Sequence, residues 1–477
     1  MDTTQKNLHV VFLPFLAAGH MIPTLDIAKL FASHHVKTTI ITTPLNAPFF
    51  LKPLTSYKNP NGPSIGVEII PFPSKEAGIP ESAESFEHCM TPKEMNNFLL
   101  GCQHLEQPVE RVLEKLKPNC LVADHLFAFA THVAAKFNIP RLVFHGTGFF
   151  AQCAVNSFWK YLPLKSLSPE DEEVIIPHLP HELKLKRSAF PQEVVEVIMD
   201  INLRALEAEI KSYGVIVNSF YELEPDYVHH YRDVVGRRAW HIGPVSLCNR
   251  ENEAKFQRGK DSSIDEHACL KWLDSRNPNS VVYISFGSLS VFSTSQLCEI
   301  ARALEALEQD FIWVVGKIDK EEENEEWLPD GFEQRMQGRG LIIRGWAPQI
   351  LILEHKSIAA FMTHCGWNSI LEGISCGVPM ATWPVFGEQH INEKLVTEIL
   401  KIGVPVGAEQ WNLIVDGNVK CDSIKDAIGR VMAVKEALEM RSRANELKEK
   451  ARKAVEEGGS SYTDLLSLIQ ELSSYNA

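Results

Sequence analysis

Residues 346–389 carry the densest set of groups able to do chemistry: WAPQILILEHKSIAAFMTHCGWNSILEGISCGVPMATWPVFGEQ. Residues 359–363 read as a buried strand ending at His364. Gly366, Asn368 and Ser369 then open a helix that runs to Ser375 and stops at Gly377, Val378 and Pro379. A glycine at such a bend lets a ligand approach the backbone, and the first helical turn offers unpaired N–H groups to a diphosphate. The side chains of His364, Asn368 and Ser369 add further donors. Trp346, at the end of a strand, has a flat face for a nucleobase. Glu372, one turn into the helix, can accept from ribose hydroxyls, while Glu388 and Gln389 offer the donors and acceptors that a sugar ring needs. Singly, Trp346, Trp367 or His364 would pass for core or rim residues. The ordered set does not.

A second chemical group stands near the start, at His20 in PFLAAGHMIP. It falls where a first apolar strand has ended and a helix begins, on the carboxyl edge of a sheet. An imidazole, with an ordinary pKa of ~6.5, suits removal of a proton from a hydroxyl near neutrality. Asp124, in LVADHLFAFA, ends another strand on the same edge. A carboxylate there would fix the His20 tautomer and stabilise the imidazolium. The competing reading is a capping histidine and a strand-end aspartate that never meet. A third group is SFGSLS, residues 285–290, where Gly287 permits close approach and Ser288 can donate to a phosphate. Alone, such a stretch is a turn.

The elements that must position these groups follow from apolar patterning. A strand at 9–15, a small-residue loop at 16–20, a helix carrying Leu25, Ala28, Leu30 and Phe31, and a β-branched strand at 37–43 make a βαβ unit. Short buried strands are predicted at 67–71, 120–123, 141–144 and 214–218. Residues 249–266 are polar and read as a linker or exposed loop, after which a second α/β series begins. It has strands at 280–286, 311–315, 340–344, 359–363 and 380–384 and a helix at 293–307; the acidic run 320–326 reads as a solvated loop. The expected division is 1–245, a linker at 246–266, a second domain at 267–455, and a final helix within 456–477 that could pack back across the junction. Two doubly wound α/β domains would face each other, with ligands in the cleft at the carboxyl ends of the strands.

Composition narrows the partners. The chain has 477 residues, more than one ordinary core accommodates, and 45% of them are hydrophobic. A formal charge of −14 argues against nucleic acid or an anionic membrane surface as the main partner. Ten cysteines lie scattered without a C-x-x-C pair, which suits the reducing cytosol. No stretch has the length or apolarity of a membrane span.

Residues 346–389 closely resemble the signature box of plant secondary-product UDP-dependent glycosyltransferases, and the resemblance extends to the His20 loop, the Asp124 region and SFGSLS. It implies the GT-B architecture, two facing Rossmann-like domains. It implies that Trp346 stacks on uracil with Ala347 and Gln349 at the base or ribose. His364, Asn368, Ser369 and the Gly366 turn would hold the diphosphate with Ser288, and Glu372 the ribose. Trp367, Glu388 and Gln389 would hold the sugar, and a final glutamine tilts the donor toward UDP-glucose without excluding others. His20 and Asp124 match the family's catalytic pair. The acceptor side would draw on 80–100, 149–159 and 183–201, whose aromatic and aliphatic content equally suits ordinary core. The wording of 120–147 is similar to the branch acting on flavonoids, terpenoids, phenolics and hormones.

The expected reaction is inverting transfer of a sugar to a hydroxyl or carboxyl of a small hydrophobic metabolite, by a cytoplasmic monomer. No Asp-x-Asp stands in the strand-end loops, so no metal and no further cofactor is expected. The rivals are a sugar-nucleotide epimerase or hydrolase of the same fold, and a non-catalytic UDP-sugar-binding protein.

Overall fold

The structure, a computed structural model, describes residues 8–57, 59, 62–89, 91–162, 172–191, 196–318, 328–433 and 436–475. The acidic stretch 320–326 lies outside the described residues. The chain forms two compact units. The first comprises Met1–Gly148, Val194–Gly259 and Lys453–Ala477; the second comprises Phe149–Glu193 and Lys260–Arg452. Both are thus discontinuous in sequence.

In chain order the strands are β1 (His9–Leu13), β2 (Lys37–Thr42), β3 (Ile65–Ile69), β4 (Cys120–Asp124), β5 (Arg141–Phe144), β6 (Glu173–Ile176), β7 (Leu183–Lys186), β8 (Gly214–Val217) and β9 (Ala239–His241). They continue with β10 (Val281–Ser285), β11 (Val291–Phe292), β12 (Asp310–Val315), β13 (Lys317–Ile318), β14 (Gly340–Arg344), β15 (Ile358–Thr363), β16 (Met380–Thr382), β17 (Gly403–Pro405) and β18 (Ile414–Val415).

The first unit holds a parallel sheet in the order β3-β2-β1-β4-β5-β8-β9. Side chains alternate across it, as the period of two requires. Val11, Leu13, Leu121 and Ala123 face a core built with the helices Pro92–Gln103 and Glu106–Leu116. Val10, Phe12, Cys120 and Val122 face the opposite one, with the helices Ala18–Ser33 and Ser460–Ser474. Because both faces are covered, the central strands read as unbroken apolar runs rather than alternating ones. The exception is β3, an edge strand whose Ile69 is exposed. The buried strand expected at 67–71 therefore lies two residues earlier and is only partly covered.

The stretch 249–266 is more than an exposed linker. Asn249 is buried and bridges Lys29 Nζ (2.8 Å) to Asp26 Oδ1 (2.7 Å), and Arg258 Nε donates to Asp26 Oδ2 at 2.8 Å. Its polar composition reflects a buried ion pair on the first helix. Composition alone cannot separate that from solvation.

The second unit's main sheet runs β14-β12-β10-β15-β16-β17, all parallel. A small sheet β13-β11-β18 and the antiparallel hairpin β6–β7 complete it. Of the stretches suggested for acceptor binding, 80–100 falls in the first unit and 149–159 in the second. The helix Phe149–Tyr161 and β7 pack on the helix Gln389–Lys394.

Candidate active site

In each unit the strand order reverses at one point, and doubly wound sheets bind ligands at the carboxyl ends of the strands there. In the first sheet the reversal lies between β1 and β4, in the second between β10 and β15. His20 follows β1 and Asp124 ends β4; Ser288 follows β10 and His364 follows β15.

His20 is the third residue of the helix Ala18–Ser33, three positions beyond the N-cap, Ala17. The N-terminus of that helix has no side-chain cap of its own. Instead the buried Glu87 carboxylate accepts the Ala18 N–H at 3.0 Å, and Phe86 N–H donates to the Leu16 carbonyl at 2.9 Å. The sequence reading missed Glu87, which lies 69 residues from its partner.

The structure brings His20 and Asp124 together: Nδ1 stands 2.6 Å from Asp124 Oδ2, with the histidine side chain 25% exposed and the aspartate fully buried. Burial alone would raise the Asp124 carboxyl. The charge of His20, then hydrogen bonds from His125 and His20, outweigh it and hold Asp124 well below the usual carboxylate range. An ionised Asp124 accepts the Nδ1–H, so Nε2 is left as the basic nitrogen. One buried phenylalanine supports the His20 ring. Phe15 meets the imidazole edge-on at 5.3 Å and packs against Phe86, Phe98 and Phe127.

In the second unit, β15 leads through His364 and Cys365 to Gly366, the N-cap of the helix Trp367–Cys376. Cys365 takes the left-handed conformation (φ 65°), uncommon for a residue with a Cβ. Asn392 Nδ2 holds its carbonyl at 3.0 Å and also reaches Glu388 Oε1 at 3.3 Å. The His364 ring lies flat between two glycines. A Cβ on Gly287 would come within 2.7 Å of it, and one on Gly366 within 2.4 Å. Nδ1 of His364 is buried without a hydrogen-bond partner among the described residues. Burial brings its pKa down to about 4, so the ring is neutral near pH 7.

The remaining box residues divide into those that face the sheet edge and those that brace it. Trp346 follows β14; its N–H donates to Ser263 Oγ at 3.0 Å and its carbonyl accepts Ser263 N–H at 2.7 Å. Ala347 is buried beside it. Gln349 Nε2 donates to both Glu372 Oε2 (2.8 Å) and Ser369 Oγ (3.1 Å), so three expected contact residues also orient one another. Asn368 lies at the second position of the helix. Trp367, the first residue of the helix, is buried, 2% exposed. Gln389 Oε1 accepts the N–H groups of Val385 (2.9 Å) and Phe386 (3.1 Å), so its Nε2 is the end suited to a ligand. Glu388 is the N-cap of the helix Gln389–Lys394. Among the described residues, no group of three or more His, Cys, Asp or Glu is arranged to hold a metal ion.

Two doubly wound units in one chain are the GT-B architecture of nucleotide-sugar-dependent glycosyltransferases. The comparisons with known proteins agree. The family described as "UDP-glucoronosyl and UDP-glucosyl transferase" matches residues 193–404. The chain is 56% identical to UDP-glucose flavonoid 3-O-glucosyltransferase 7 of Fragaria ananassa, over 98% of this chain and 96% of that one. It is 53% identical to scopoletin glucosyltransferase of Nicotiana tabacum, over 99% of both. Among solved structures, Glycyrrhiza uralensis UGT73P12 complexed with glycyrrhetinic acid 3-O-monoglucuronide superposes with a TM-score of 0.90 at 39% identity, covering 98% of this chain and 96% of that one. The chain belongs to the plant UDP-glycosyltransferases and is an enzyme of that class.

Proposed function

We propose that this enzyme transfers glucose from UDP-glucose to a hydroxyl or carboxyl of a small hydrophobic plant metabolite, inverting the anomeric carbon. The observation that carries the reading is the 2.6 Å contact between His20 and the ionised, buried Asp124. Nε2 of His20 takes the acceptor's proton, the acceptor oxygen forms a bond to the anomeric carbon, and the bond from that carbon to the UDP oxygen breaks. Asp124 stabilises the imidazolium that results.

The departing diphosphate gains charge as it leaves, and the second unit's sheet edge suits it. Oriented donors at such a site are worth about 3–4 kcal/mol each in other enzymes, against roughly 0.3–1 kcal/mol for a helix dipole alone. The N–H groups at Gly366–Trp367, His364 and Ser288 therefore matter more than the dipole of the helix behind them. Trp346 takes the uracil, and Glu372, held by Gln349, takes the ribose. Asn368 and Ser369 serve the phosphates, and Glu388 and Gln389 the sugar.

Relatives are named for flavonoids and scopoletin, which supports a flat apolar acceptor. All ten cysteines are unbridged, which supports a cytosolic enzyme; none of the described helices is long and apolar enough to cross a membrane. We read it as working in a single copy. The test is turnover of UDP-glucose against a panel of flavonoids, coumarins, terpenoids and plant hormones, read by mass spectrometry. Glycosides with β configuration are expected, and His20→Ala should abolish them while UDP still binds. Free glucose with no glycoside would instead mark a hydrolase, and full activity in His20→Ala would remove His20 as the base.

A further inference from the structure

One face of the helix Gln389–Lys394 is keyed into the sheet edge of the second unit. In GEQHINEK the residues Glu388, Gln389, Asn392 and Glu393 recur at i, i+1, i+4 and i+5, which puts them on one side of the helix. Gln389 holds the N–H groups of Val385 and Phe386, and Glu393 Oε2 accepts the Thr382 hydroxyl at 2.7 Å. Between them Asn392, fully buried, donates through Nδ2 to the Cys365 carbonyl at 3.0 Å and to Glu388 Oε1 at 3.3 Å. A carbonyl can only accept, so the amide has only this orientation; turned over, it would set oxygen against oxygen. Its own Oδ1 is buried with no hydrogen-bond partner among the described residues. A leucine would fill much the same space without that orphaned acceptor, so packing alone gives no reason for an asparagine here.

We propose that Asn392 is a positioning residue for the diphosphate: by holding the Cys365 carbonyl it aims the Gly366 N–H at the departing phosphate. This rests on the reading of the Gly366 turn as part of the diphosphate site. The peptide joining Cys365 to Gly366 is trans, so its C=O and N–H point in opposite directions, and fixing one fixes the other. The turn does not hold that plane unaided. Cys365 has φ 65°, a conformation that a residue with a Cβ keeps only where its neighbours enforce it. On its other side the Cys365 N–H reaches Thr363 Oγ1 at 3.4 Å, and the Thr363 carbonyl accepts the Trp383 N–H at 2.8 Å. Those bonds fix the end of β15, but neither acts on the Cys365–Gly366 peptide. Gly366 is the N-cap, so its N–H stands outside the helical ladder. Without Asn392 the buried carbonyl turns to find another partner, and the N–H turns with it.

The experiment compares UDP with uridine in Asn392→Leu, which keeps the bulk, adds no charge and removes the amide. UDP binding is read by calorimetry, and uridine binding by inhibition of turnover. UDP carries no sugar, so a sugar contact at Glu388 does not enter the comparison. The Kd for UDP should rise about tenfold and kcat should fall about as much, with uridine binding and the melting temperature little changed. Equal weakening of UDP and uridine with a lowered melting temperature gives Asn392 a packing role and overturns the proposal, as does an unchanged Kd for UDP. Asn392→Ala, also uncharged, carries the test if the leucine variant does not fold. His364→Ala is run alongside. If both variants keep the wild-type preference for UDP over uridine, the diphosphate reading fails and the proposal with it; if only His364→Ala loses it, the role of Asn392 alone fails.

Discussion

At the first reversal of strand order, between β1 and β4, titratable groups are already paired: His20 with Asp124 and, nearby, His145 with Glu209. At the second, between β10 and β15, the corresponding edge holds two glycines, a helix N-terminus and a histidine whose buried Nδ1 has no partner among the described residues. The reversal of strand order is the same, yet the first edge sets oppositely charged groups against one another, while the second sets a neutral, buried histidine between glycines at a helix N-terminus. Moving a proton needs a base whose tautomer and charge are fixed in advance. Holding a diphosphate needs donors that no internal acceptor competes for.

Removing the charge at the paired edge should have the largest effect. Asp124→Asn preserves shape but not charge, and kcat/KM for glycoside formation should fall on the order of 10³–10⁴-fold. UDP affinity, read by calorimetry, should hardly change. A comparable loss of UDP affinity would mean that the two edges are not separate in role.

Crowding the open edge comes next. Gly287 has φ 73°, and a Cβ there would sit 2.7 Å from the His364 ring. Gly287→Ala should weaken UDP binding about 10- to 100-fold, matching ~1–3 kcal/mol of strain. An unchanged Kd would show that the ring moves aside freely.

A pH experiment sharpens the contrast. His364 and His390, and His9 in the first unit, have pKa values lowered to about 4, mainly by burial. They are neutral in both folded and unfolded states above the ordinary value. As pH falls from ~6.5 toward 4 the unfolded chain takes up protons first, so stability declines over that window. Asp124 has the depressed-carboxyl sign: its contribution is complete above the ordinary carboxylate range and is lost as pH falls toward its folded value. The melting temperature should therefore drop steadily below about pH 6.5. If the diphosphate docks beside His364, it raises that pKa, and UDP binding near pH ~5 should take up protons. Calorimetry in buffers of different ionisation enthalpy reads this directly; no proton uptake would place the phosphates away from His364.

The smallest effect is expected at Ser263. Ser263→Ala loses the acceptor for the Trp346 N–H and should raise KM for UDP-glucose about 3- to 10-fold, with kcat retained. A fall in kcat instead would give Trp346 a part in the chemical step.

Much of this was legible in the sequence. The central strands stand out because burial on both faces makes them continuous apolar runs, and Gly366 and Gly377 frame their helix through backbone geometry. Position at two strand ends of one sheet left open whether His20 and Asp124 meet; the resemblance to the family's catalytic pair favoured it, and the 2.6 Å contact decides it. Less visible were features set by long-range contacts. Glu87 caps a helix 69 residues away, and Glu209 meets His145 across 64. The short strand Ala239–His241 has too few residues to show a period. Gln389 was read as a ligand contact from its position, and Gln349 from the resemblance. Their bracing bonds to Val385, Phe386, Ser369 and Glu372 depend on side-chain directions that spacing does not encode.

The last helix, Ser460–Ser474, buries Leu465, Leu468, Ile469 and Leu472 in the core beneath β1 and β4. During synthesis the first unit's apolar face thus waits for the final turns of the chain to emerge, long after its own strands have been made. The second unit's main sheet, β10 to β17, has by then left the ribosome entire. Trimming this helix would accordingly injure the unit that bears His20, although the helix follows the other unit in the chain.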